Sequence, residues 1–102
     1  MLVTSNFNVN DVITFRLNTG EEIVAKLTEE KMDCYVVSKP LVIILQEQGP
    51  VMAPMMVSAD WKTTPVSIYK HGVTMSANTV KEIKKAYLET TSGLDLSAST
   101  II

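Results

Sequence analysis

Polar and apolar residues alternate along the first part of the chain. Ile13, Phe15 and Leu17 are interleaved with Thr14, Arg16 and Asn18, a period of two that predicts a strand with one buried face. Asn18-Thr19-Gly20-Glu21 reads as a turn, with Gly20 free to take a positive φ. Beyond it Ile23, Ala25 and Leu27 face one way and Val24 and Lys26 the other. Two alternating runs about a glycine turn predict a hairpin. A charged connection over residues 28–33 leads to a third strand through Cys34, Tyr35, Val36 and Val37.

The alternation then breaks down. Leu41, Val42, Ile43, Ile44 and Leu45 are apolar at every position, so both faces of that segment must be covered. Either another subunit covers the second face, or one long bent strand changes layers at Pro40. A second apolar run, residues 51–57, contains Met52, Met55 and Met56 and is interrupted by Pro54, which points to an edge or a bulge. Core packing and subunit contact both suit these adaptable methionines. Trp61 sits in a polar loop, residues 60–65; folding back on the core or an interface, or stacking on a base, are its open readings. Val66, Ile68 and Tyr69 predict another strand, Lys70-His71-Gly72 a turn, and residues 73–77 a last short strand.

The period changes after residue 78. Val80, Ile83 and Tyr87, with Ala86 alongside, lie three and four apart, and Thr79 to Glu82 has capping-box spacing. Ser92-Gly93 is a stop signal. The pattern predicts a helix over about 79–91, with Lys81, Lys84 and Lys85 off its apolar stripe. The expected organisation is an N-terminal segment (1–11), a β domain (12–77), a helical segment (78–93) and a mobile tail (94–102).

At 102 residues, 46% apolar and 20% charged, the chain has the balance of one small folded domain. Such a chain buries about two-thirds of its unfolded surface, a modest core that association would supplement. A formal charge of -2 disfavours salt-driven binding to duplex DNA. The lone cysteine, Cys34, allows no internal disulfide, and with a single histidine, His71, neither a Cys-based nor a His-rich metal site is expected. The longest apolar run, Leu41 to Leu45, is too short to span a bilayer as a helix. No basic segment followed by a long apolar one occurs at Met1 to Ser5, so the expected location is a reducing, cytoplasmic compartment.

Catalytic chemistry finds little support. A serine or cysteine nucleophile needs an orienting base, and His71 lies in a tight turn beside Gly72. No phosphate-binding glycine loop is present. The neighbours Glu21-Glu22 and Glu29-Glu30 point to opposite faces of their strands and do not form paired-carboxylate sites. A binding module with no cofactor is the expectation.

Several short, bent strands suit a small barrel-like sheet. The run Val12-Ile13-Thr14-Phe15-Arg16-Leu17-Asn18-Thr19-Gly20, continued by Ile23 to Leu27, resembles the first segment of an Sm motif, with Ala25 where glycine is frequent. Ser67-Ile68-Tyr69-Lys70-His71-Gly72-Val73 is similar to the second segment. The resemblance spans residues 10–77. Met52-Ala53-Pro54, the Trp61 loop and the helix ending near Gly93 make the chain look most like the small Sm-like proteins of cyanobacterial tailed phages.

This resemblance implies a mainly β fold, a strongly bent five-stranded Sm-like barrel with a C-terminal helix. It implies a homo-oligomeric ring of roughly five to seven subunits, with edge strands paired between copies. Leu41, Val42, Ile43, Ile44, Leu45, Met55, Met56 and Ile68 are then the candidate subunit contacts. It further implies single-stranded RNA bound near the pore by Lys31, Met32 and Asp33 in one loop and Lys70, His71 and Gly72 in another. The first loop lacks the asparagine usual in the family, and the second has lysine and histidine where arginine is typical. The alternative expectation is a ring that serves as a protein scaffold or adaptor, in phage assembly or host takeover, acting in the host cytoplasm.

Overall fold

The computed structural model of the chain describes residues 7–92 and 100–101. Strands β1 (Val12–Leu17), β2 (Glu22–Glu30), β3 (Cys34–Gln46), β4 (Gly49–Pro54), β5 (Val66–Tyr69) and β6 (Val73–Asn78) precede the helix α1 (Lys81–Thr91), and Thr100–Ile101 forms β7. All pairings are antiparallel, in the order β6-β1-β2-β3-β4-β7, with β5 on the first half of β3. Where the family resemblance implies five strands in a barrel, the described residues form seven in a sheet that does not close. Gly20 turns the β1–β2 hairpin at φ +105, as the pattern requires. The tail expected over 94–102 lies largely outside the described residues, but Thr100 and Ile101 pair with Met52 and Val51.

The apolar run after Pro40 belongs to one long strand that changes layers there, one of the two arrangements the pattern left open. β3 continues for 13 residues through Pro40, pairing first with β5 and then with β4. Between Val24↔Leu41 and Lys26↔Ser38 it carries one residue more than β2, a bulge in which Lys39 takes φ +52. On a regular strand Val37 and Leu41, four apart, would share a face. The extra residue reverses this, so the strand serves two cores. Val37 packs with Ile13, Phe15, Ile23, Ala25, Leu27 and Ile68 on one side of the sheet. Leu41 packs with Val12, Val24, Met52, Trp61 and Tyr87 on the other. A compensating bulge at Thr28 of β2 is held by its hydroxyl, which donates to Val36 O at 2.9 Å.

Helix α1 and the Trp61 loop cover this second face. Ile83, Ala86 and Tyr87 pack inward, with Thr90 and Thr91 buried beside them. Asp60 accepts hydrogen bonds from the Thr63 amide and hydroxyl, which closes the loop behind Trp61. Trp61 is therefore core material, 7% exposed, and not a free stacking surface.

The expected capping box does not form. Thr79 is still tied to β1: its amide donates to Val12 O at 3.1 Å and its hydroxyl shares a 2.8 Å hydrogen bond with that of Thr14. The helix starts two residues later than the pattern predicts, and its N-cap, the exposed Val80, offers no side-chain acceptor. Val80→Asp should therefore stabilise the fold by about 1 kcal/mol, read as a raised urea midpoint at unchanged slope.

Candidate functional site

Three turns meet around the short segment that joins β5 to β6. The β2–β3 turn is closed by the Lys31 amide donating to Cys34 O at 2.8 Å, leaving Lys31, Met32 and Asp33 exposed. The Lys70 amide donates to Asp33 O at 2.9 Å, which joins this turn to the 3-10 turn Lys70–Gly72 between β5 and β6. The β1–β2 turn arrives through Asn18. Its amide donates to Gly72 O at 2.9 Å, its side-chain amide donates to His71 O at 2.7 Å, and its side-chain oxygen accepts from the Thr74 hydroxyl at 2.7 Å.

On this frame the exposed Tyr69 and His71 rings stack, 5.9 Å between centroids and 30° between planes. Lys70 points elsewhere. Its ammonium lies 2.7 Å from Glu30 Oε2 and 5.0 Å from the centre of the Tyr35 ring, which itself packs on Phe15 at 4.9 Å. The hydrogen bond to Glu30 holds the Lys70 ammonium above its ordinary pKa. A charge expected to face a ligand is thus met by a carboxylate of the same chain. Gly72 is open: a Cβ there would meet no atom within 4 Å, so nothing in the fold demands glycine.

Beside the stacked rings a cleft of about 530 Å³ runs between Leu17, Ile23, Pro40, Met55, Met56 and Ile68. Its volume and apolar lining are those of a ligand-sized pocket.

The candidate subunit contacts divide by burial. Leu41 and Ile68 are enclosed in the chain's own two cores. Val42, Ile43 and Met56 are half-buried, the last two against the Trp61 core. Ile44, Leu45 and Met55 are exposed, Leu45 by 83%. Asn18, Glu30, Tyr35 and Tyr69 were not among the candidate residues, yet they build the site. Glu30 and Tyr35 face each other only through the β2–β3 register, and a local pattern does not contain that pairing. Tyr69 could have been found as the exposed aromatic two residues before His71.

No protein-family model matches this chain, and no curated protein does either. No helix among the described residues is long and apolar enough to cross a membrane, and no group of three histidine, cysteine, aspartate or glutamate residues among them could hold a metal ion.

Proposed function

We propose that the chain is a ring-forming, Sm-like binding module that takes single-stranded RNA at the end where its three turns meet. The observation carrying this reading is the junction of the two turns by the Lys70 amide and Asp33 O, with the exposed Tyr69–His71 stack beside it. An exposed aromatic pair on a rigid turn suits unpaired bases, whose stacking is sequence-tolerant. The strand path β6-β1-β2-β3-β5, with a sharp turn between its last two members in sequence, supports the Sm-like expectation. Among the described residues β5 pairs only with β3 and β6 only with β1. Pairing the β5 edge of one copy with the β6 edge of the next would satisfy both and repeat the site around a ring, where avidity strengthens a weak contact.

Because Lys70 is paired with Glu30, stacking outweighs phosphate neutralisation in this reading. Fluorescence anisotropy with U-rich and A-rich single strands tests it. Replacing both Tyr69 and His71 with alanine should weaken binding about 5- to 150-fold, the equivalent of 1–3 kcal/mol for one stacked base. The dependence of log K on log salt should be shallow, a slope between about -0.7 and -1.4, one or two phosphates. Absence of binding at about 50 µM, or binding indifferent to the double substitution, would refute the RNA reading.

A second reading, a ring that serves as a protein scaffold or adaptor, is favoured by the exposed Ile44, Leu45, Met55 and Val57. A pull-down that recovers RNA and no protein would count against it.

A further inference from the structure

We propose that Glu30 sets the RNA affinity of this end by competing internally for Lys70, so that an RNA phosphate engages the ammonium only by displacing the Glu30 carboxylate. The inference rests on the reading of this end as an RNA site. It concerns a residue that the family resemblance does not single out.

The contact is built by the sheet. Glu30 is the last residue of β2 and stands opposite Tyr35 in the β2–β3 register. Tyr69, one residue before Lys70, stands opposite Cys34. The register therefore brings the carboxylate, the Tyr35 ring and the ammonium to one corner. The ammonium then holds two attractive contacts, Glu30 Oε2 at 2.7 Å and the face of Tyr35 at 5.0 Å. Packing of Tyr35 on Phe15 fixes the ring.

The pair is partly shielded and still reachable. The Lys70 and Glu30 side chains are 30% and 20% exposed. Partial shielding makes the pair stronger than one fully in water. The remaining exposure lets a phosphate approach. Carboxylate and phosphate oxygens compete for the same N–H donors, and the two anions repel each other at that range. Lys70 is thus a reserve cation, available once its partner is neutralised or outcompeted. Lys31, exposed in the adjoining turn, remains as the charge that meets RNA first.

The test uses the full chain and labelled U-rich and A-rich single strands at several salt concentrations. Glu30→Gln should tighten binding roughly two- to fivefold at low salt, the scale of one such ion pair. It should also steepen the salt slope by about 0.7, one additional phosphate. Glu30→Ala, which leaves Lys70 no acceptor at this position, should do the same, and decides the matter if the glutamine amide still holds the ammonium. In a Lys70→Ala background neither change should tighten binding or steepen the slope. An equal gain in that background would mean that Glu30 acts only through the overall field, and overturns the proposal. Binding by the native chain that neither Glu30 substitution tightens overturns it too, leaving the RNA reading intact. If neither the native chain nor any variant binds, both fall together, an outcome distinct from the other two.

Discussion

Tyr87→Ala is expected to cost about 3–5 kcal/mol and to loosen α1 from the sheet. Among the described residues Tyr87 is the largest fully buried side chain, 1% exposed, and it joins the helix to the core formed by Val12, Val24, Leu41, Met52 and Trp61. Its hydroxyl also reaches the bulge of β3, within 2.9 Å of Ser38 O and 2.8 Å of Lys39 O. Lys39 occupies the left-handed region immediately before a proline, a conformation disfavoured for a residue with a side chain. Its ammonium donates in turn to Thr91 O at 2.9 Å, at the end of the helix. The helix thus clamps a strained bend that lets β3 serve both cores. A domain of this size has a total stability of roughly 5–15 kcal/mol, so the alanine substitution removes a large share of it. Tyr87→Phe keeps the ring and abandons two carbonyls, a loss of about 1–3 kcal/mol. Urea denaturation should rank native, phenylalanine and alanine in that order; equal losses for both variants would mean that the hydroxyl, not the ring, holds the helix. Burial raises the pKa of this phenol far above its ordinary value, so it stays a donor throughout the neutral range.

Ser67→Pro is expected to turn the proposed ring into folded monomers. The Lys70 amide donates to Asp33 O, so Lys70 and Asp33 form a hydrogen-bonded pair of the ladder. Such pairs alternate in an antiparallel sheet, which turns the Ser67 and Tyr69 backbone groups away from β3 and toward the free edge. The Ser67 side chain is exposed, and the adjacent Ile68 points into the core. Proline at 67 removes an N–H that this β3 ladder does not use, while denying a donor to any strand added outside. In a closed ring every interface carries the same defect, so the loss is repeated at each one. Native mass spectrometry should show a multiple of the chain mass before the substitution and the single mass after it, with the circular dichroism of the fold retained. A native chain that is already monomeric would refute the ring; an unchanged assembly would move the interface away from the β5 edge.

The β1–β2 hairpin and the β5–turn–β6 segment were legible because their signals are local: alternation in Ile13 to Leu17, the glycine at 20, the Lys-His-Gly turn. The helix was legible from its period, but its start was not. Whether Thr79 caps a helix or pairs with Thr14 depends on a strand 65 residues away. The long bent strand through Pro40 was one of two arrangements the apolar run left open. What the pattern does not contain is the bulge register, which explains how Leu41 reaches a different core from Val37. Of the candidate site, the binding role of the two turns came from the family resemblance. Their junction, the Lys70–Glu30 pair across 40 residues and the Asn18 bonds depend on registers that no local pattern contains.

β4 and β5 lie end to end on one strand, with Pro54 opposite Leu41 and Val66 opposite Val37. Residues 55–65 are thus a detour in what is otherwise a single long partner of β3: the chain leaves the ladder, anchors itself at Trp61, and rejoins almost where it left. The ladder is indifferent to the length of such a detour, since doubling a flexible loop costs only about 0.6 kcal/mol. Its exposed tip at Ser58 and Ala59 is therefore a natural attachment point, where a fluorescent domain or an affinity tag can be grafted while β4 and β5 stay paired with β3 and the three turns keep their geometry.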